Sequence, residues 1–191
     1  MTKKPPPTWQ DVPRQELHGV EKLTFALDRF GVDVGGRVAF DCGASTGGFT
    51  RALLDAGASR VYAVDAGFGQ LLGSLRQDER VVNMERTNIA DARVEEPVDV
   101  VTLDLSYLSL AEALPQLALD LAPGADLLAL VKPMFELHLG SLPDDQAAGL
   151  EESIDLVRVA ATHAGWTAVE GCRSPVLGHS GAVEGFLHAK R

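Results

Sequence analysis

The feature that most constrains this chain is a repeated change of hydrophobic period. Short continuous apolar runs, which read as strands buried on both faces, alternate with segments of helical spacing. Residues 37–41, 60–65, 81–84, 98–103, 126–131, 166–172 and 185–189 are the predicted strands. Residues 17–30, 48–56, 69–77, 109–121 (with an internal proline) and 150–164 are the predicted helices. Parallel strands need a crossover between them, and a helix of ten to fifteen residues is the usual one, so the alternation predicts βαβ units on a parallel sheet. The expected fold is α/β, a doubly wound Rossmann-like sheet with helices on both faces. Residues 1–16, with Pro5, Pro6, Pro7 and Pro13, read as a flexible proline-rich tail, because proline lacks an amide donor and disfavours helix in the residue before it. Residues 17–191 are expected to form one domain, since a chain of 191 residues that is 46% hydrophobic suffices for a single sizeable core.

Composition excludes several function classes. No apolar run approaches the roughly 18 residues of a membrane span, and the N-terminus lacks the apolar stretch of a signal peptide, so a cytoplasmic protein without a membrane partner is expected. Cys42 and Cys172 are far apart and share no ligand spacing with the histidines, which predicts neither a disulfide nor a metal site. A net charge of −10 gives a surface that on average repels phosphate, and no DNA partner is expected. Lys3, Lys4, Arg14, Lys22 and Arg29 nonetheless enrich the N-terminal segment in positive charge.

The first chemical signal lies where this architecture puts ligands. From Asp41 to Phe49 a strand runs into a glycine-rich turn that opens a helix, which exposes amide donors and lets a ligand approach the backbone. Asp65 ends the second strand 22 residues after Gly43, a suitable place for a carboxylate that accepts from ribose hydroxyls. The spacing Gly43-x-x-x-Gly47-Gly48 differs from the Gly-x-Gly-x-x-Gly of pyrophosphate loops. An acidic Asp41 at the loop entrance would repel a diphosphate, but it suits the amino group and sulfonium of S-adenosylmethionine.

Several stretches carry a family resemblance. They are Asp41-Cys-Gly-Ala-Ser-Thr-Gly-Gly-Phe-Thr50, residues 60–65 with Gly67-Phe-Gly-Gln70, Leu75-Arg-Gln-Asp78, Glu85-Arg-Thr-Asn88, Leu103-Asp-Leu-Ser106 and Val131-Lys-Pro-Met-Phe-Glu136. In this order they resemble the FtsJ-like methyltransferases, specifically the TlyA or "hemolysin A" branch, over about residues 17–191. The resemblance implies a seven-stranded sheet whose last strand is antiparallel, S-adenosylmethionine as methyl donor, and 2′-O-methylation of ribosomal RNA. It implies a catalytic Lys-Asp-Lys-Glu set at Lys22, Asp104, Lys132 and Glu184, with Asp104 also beside the donor. Around the donor it implies Asp41, Gly43, Ser45, Thr46, Gly47 and Gly48 at the methionine moiety, Asp65 at the ribose and Asn88 at the adenine edge. Phe68 is expected either on the adenine ring or in the core.

The chain departs from that branch in three respects. The branch usually carries an N-terminal S4-like RNA-binding domain and a Ser-Arg-Gly-Gly run before its first catalytic lysine, whereas here the proline-rich tail leads into Gln15-Glu-Leu-His-Gly-Val-Glu-Lys22. Met134 stands where glutamine is usual. Two alternatives therefore stay open: a methyltransferase for a small-molecule acceptor under a lid of residues 133–149, and a protein that binds the donor without transferring its methyl group.

Overall fold

The computed structural model describes residues 14–191, with side chains from His18 onward. Of the predicted tail, residues 1–13 lie outside the described residues, and residues 14–16 form the start of the first helix, α1 (Arg14–Phe30). Then follow β1 (Val38–Cys42), α2 (Gly48–Asp55), β2 (Arg60–Asp65), α3 (Gly73–Arg76), β3 (Val81–Glu85), β4 (Val98–Leu103) and α4 (Leu110–Ala113). The chain continues through β5 (Leu121–Val131), α5 (Pro133–Glu136), α6 (Gln146–His163), β6 (Thr167–Arg173) and β7 (Gly185–Lys190).

All seven strands join one sheet in the order β3-β2-β1-β4-β5-β7-β6. The strands from β3 to β5 are mutually parallel, and β7 runs antiparallel between β5 and β6. Both faces are covered, so successive residues of one strand feed opposite cores: Ala39 packs with Leu23, Leu53 and Phe186, and Phe40 packs with Leu103, Leu127 and Leu187. Two-sided burial is why the strands read as unbroken apolar runs. Midway along β5, Asp126 is 2% exposed and gathers Arg37 (2.9 Å), His188 (2.8 Å) and Lys190 (3.3 Å), fastening β7 to the sheet.

Several elements differ from the sequence expectation: β5 begins at Leu121 rather than 126, α5 was not expected, and three of the helices change for local reasons. The helix expected over 69–77 shrinks to the four residues of α3, because the Gln70 and Leu71 amides are drawn to the Glu85 carboxylate (2.8 and 3.1 Å) rather than into a helix. The helix expected over 109–121 is α4 followed by a 3₁₀ turn at Leu114–Gln116, since Pro115 has no amide to continue the ladder. The helix α6 starts at Gln146 rather than 150, where Asp145 accepts from the Ala147 and Ala148 amides (3.1 and 3.0 Å). Among the described residues no helix is long and apolar enough to cross a membrane.

Candidate active site

The carboxyl ends of the parallel strands β1, β2, β4 and β5 lie on one side of the sheet, and there the segments leaving β1 and β4, with α1 and the loop before β7, enclose a cleft of about 520 Å³. Its floor is the turn Gly43–Thr46 with the start of α2. One wall comes from α1, through His18, Gly19 and Lys22. The other comes from the loop before β7, through Leu177, Gly178, His179 and Ser180, and Asp104 enters from the end of β4.

Backbone geometry dictates glycine at two of these positions. Gly43 has φ +88°, and a Cβ there would lie 2.1 Å from the Asp104 carbonyl oxygen, so the loop can press against β4 only without a side chain. Gly19 brings α1 so close to α2 that a Cβ would sit 3.0 Å from the Gly48 Cα, and Lys22 follows on the next helical turn, over the cleft.

Two lysine–carboxylate pairs define the chemistry. Lys22 Nζ donates to Glu184 Oε2 at 2.5 Å, with the two residues only 8% and 6% exposed. Gly178 makes room for that carboxylate, since a Cβ there would lie 2.0 Å from Glu184 Oε1. Lys132 Nζ stands 2.5 Å from Asp104 Oδ1 and donates to Ser106 Oγ at 2.9 Å. Asp104 Oδ1 is buried and accepts no well-directed hydrogen bond, so its charge is met by that ammonium alone. The segment that carries Lys132 is itself tied down: Glu136 is buried and accepts from the first amides of α4, with Leu110 N at 2.9 Å. Burial pushes the Glu136 carboxyl up, against the pull of those amides. Sequence reasoning missed the roles of Ser106 and Glu136, although both belong to motifs it quoted. It also missed His18 and His179, which carry no motif signal.

The expected donor residues do not all meet in the cleft. Gly43, Ser45, Thr46 and Gly48 line it together with Lys22 and Asp104. Gly47 sits behind them at φ +102°, packed on Leu71 and Leu75. Asp65 joins the loop through its carboxylate, which accepts from the Ser45 amide (2.8 Å) and the Gly67 amide (2.6 Å). Asn88 is exposed at the start of the 3₁₀ turn after β3 and is not part of the cleft lining. Phe68 is 63% exposed with the Arg86 guanidinium over its ring at 3.8 Å, which rules out the core position allowed for it.

Asp41 differs most from expectation. Its side chain is 0% exposed, and its oxygens accept from Thr50 Oγ1 (2.6 Å) and Thr102 Oγ1 (2.9 Å), so the carboxylate braces β1 against α2 and β4 and does not face the cleft. Burial lifts its pKa to about 6, against the two threonine hydroxyls. The unfolded chain therefore loses this proton near pH 4 while the folded chain keeps it to about pH 6. Stability should fall as pH rises through that window, by up to ~3 kcal/mol, and then level off. Urea midpoints of the wild type and Asp41→Asn between pH 4 and 7 will test this, the expected result being loss of that slope in the variant.

A donor such as S-adenosylmethionine fits these groups. Gly47, which precedes α2, has no side chain to cap it, so the leading amides at Gly48 and Phe49 are left for a carboxylate, while the Thr50 amide turns to Asp41. Each Asp65 oxygen retains acceptor capacity for a ribose hydroxyl beyond its one backbone amide.

Comparison with known proteins places these features in a wider group. Residues 18–191 match the model of the FtsJ-like methyltransferases. The Mycobacterium tuberculosis 16S/23S rRNA (cytidine-2′-O)-methyltransferase TlyA is 44% identical over 178 residues, which cover 88% of this chain and 66% of that protein. A solved hemolysin-type protein from Lactococcus lactis superposes with a TM-score of 0.83 at 34% identity, covering 94% of this chain and 88% of the other. An S-adenosylmethionine-dependent methyltransferase from Mesorhizobium loti shares the fold, with a TM-score of 0.65 at 14% identity over 90% of this chain and all (100%) of its own. The chain spans about two thirds of the length of the curated relatives it matches.

Proposed function

The chain belongs to the FtsJ-like methyltransferase family, and from that membership we propose that it transfers a methyl group from S-adenosylmethionine to the 2′-hydroxyl of a ribose in ribosomal RNA. The observation that carries the proposal is the convergence of two lysine–carboxylate pairs, Lys22–Glu184 and Lys132–Asp104, beside the glycine loop that opens α2. The relative named above as an rRNA (cytidine-2′-O)-methyltransferase supports this choice of acceptor. None of residues 133–149, the lid expected for a small-molecule enzyme, lines the cleft.

In this mechanism Gly43, Ser45, Thr46, Gly47 and Gly48 hold the methionine end of the donor through backbone amides, Asp65 takes its ribose and Asn88 its adenine edge. S-adenosylmethionine supplies a methyl group on a sulfonium, whose loss leaves a neutral thioether. The protein must align the acceptor oxygen with that methyl and manage the hydroxyl proton. Lys132 Nζ is the group for the proton: as an amine it accepts it, and as an ammonium it stabilises the negative charge growing on the oxygen. Asp104 and Ser106 fix the direction of that nitrogen. Lys22, held by Glu184, borders the acceptor's side of the cleft. Asp41 supports the loop from below instead of contacting the donor. The reaction would take place in the cytoplasm, on the ribosome or its RNA.

The test is transfer of a labelled methyl group to ribosomal subunits and naked rRNA, beside a small-molecule extract. Nuclease-sensitive label that protects one ribose linkage from alkaline cleavage is expected. Label confined to the small molecules, or donor binding without transfer, would overturn the proposal.

A further inference from the structure

The cleft handles its charges in an unusual way for a site that must admit a polyanion. Its lining contains one cation, Lys22, and one anion, Asp104. Both are spoken for: Lys22 is bound to buried Glu184 at 2.5 Å with its side chain only 10% exposed, and Asp104 is bound to Lys132 at 2.5 Å. The two pairs cancel, so among the described residues the cleft lining offers no uncommitted lysine or arginine, on a protein whose net charge is −10. A phosphodiester entering this cleft must find its donors elsewhere on the lining.

Two imidazoles remain. His18 stands on the α1 wall and His179 on the opposite wall, in the loop before β7. Both side chains are exposed, and neither is hydrogen-bonded or ion-paired to a described residue. The His179 loop is held in a defined shape: Ser180 occupies the left-handed region at φ 56°, Gly178 N donates to Ala182 O at 2.8 Å, and Gly178 packs against Glu184. The imidazole at 179 is thus carried by a braced turn next to the Lys22–Glu184 pair. An imidazole donates a hydrogen bond in either protonation state and adds a positive charge in one of them, which suits it to a phosphate oxygen.

We propose that His18 and His179 form a phosphate subsite at the mouth of the cleft, gripping the backbone of the acceptor strand next to the ribose being methylated. The subsite rests on the acceptor being RNA, as proposed above. It would supply recognition without bringing a permanent cation close to Lys132.

The experiment uses the full chain, with His18→Ala, His179→Ala, the double variant and His18→Lys, in steady-state methyl transfer to the RNA that the wild type labels. Each alanine variant should raise KM for RNA about 10-fold, the order expected for a lost hydrogen bond to a charged group, with the loss in KM rather than kcat. At mildly acid pH, where an imidazole in its charged form neutralises a phosphate, the dependence of log kcat/KM on log salt should flatten by about 0.7 for each such charge removed. His18→Lys should restore KM and the salt slope, and donor affinity by calorimetry should match the wild type in every variant. RNA methylation by a double variant with unaltered KM and salt slope would overturn the subsite alone. A wild type that labels no RNA would overturn both the subsite and the RNA reading.

Discussion

Lys132→Ala should fold, bind S-adenosylmethionine with wild-type affinity, and transfer methyl groups 10²–10⁴-fold more slowly, the range typical of losing a positioned acid or base. Folding should survive because the Lys132–Asp104 pair sits at the cleft edge, where Asp104 keeps 27% of its side-chain surface and can be rehydrated. The donor should still bind because the contacts proposed for it lie on the glycine loop and Asp65, not on Lys132. Lys132→Arg separates two roles for the nitrogen. A guanidinium stays charged and cannot take the proton, yet it can stabilise an oxyanion. If Lys132 acts as a base, both variants lose activity alike; if it stabilises charge, the arginine variant recovers much of the rate. Single-turnover methyl transfer with calorimetric donor titration measures all of this. A rate within tenfold of wild type for the alanine variant would remove Lys132 from the chemistry.

The second large effect concerns the other pair. Glu184→Ala leaves the Lys22 ammonium buried without its carboxylate, and breaking a buried pair from one side costs about 3–5 kcal/mol, a large share of the stability of a single domain. Replacing both charges at once, as in Lys22→Met with Glu184→Leu, removes the uncompensated charge and should restore stability to within about 1 kcal/mol of wild type. If the pair serves only the fold, the double variant will be active. If Lys22 helps seat the acceptor, it will be stable and inactive. Urea denaturation alongside methyl transfer separates these outcomes.

Strands were legible in the sequence because burial on both faces leaves no polar alternation to confuse them. The positions of the glycine loop, Asp65, Asp104 and Lys132 at strand ends were legible because the strands were, and open α/β sheets place ligands at those ends. Asp41 was misread for a three-dimensional reason. It pairs in register with Thr102 on β4, and Thr50 lies across it on α2, so two hydroxyls distant in sequence take up its oxygens. The shortened α3 has a similar origin. Leu71, Leu72 and Leu75 have helical spacing, yet the long-range pull of Glu85 on the Gln70 and Leu71 amides outweighs it. Strong backbone and side-chain hydrogen bonding outweighs the burial of Glu85 and holds its carboxyl down to about 2, so this tether stays charged at neutral pH. His18 and His179 belong to opposite ends of the chain, and only the closure of β7 into the sheet brings their walls together.

That closure bears on how the protein is made. The last of the described strands in chain order, β7, belongs between two strands made before it, with β5 on one side and β6 on the other. Until it emerges, β6 has no partner and the edge of β5 is bare, an invitation to mispairing during synthesis. Glu184 immediately precedes this strand, so the partner of Lys22 arrives in the same closing event that seals the sheet. A nascent chain stalled just short of Glu184 and β7 would carry a finished glycine loop and three of the four charges of the proposed site, and Lys22 would gain its carboxylate only with the final insertion.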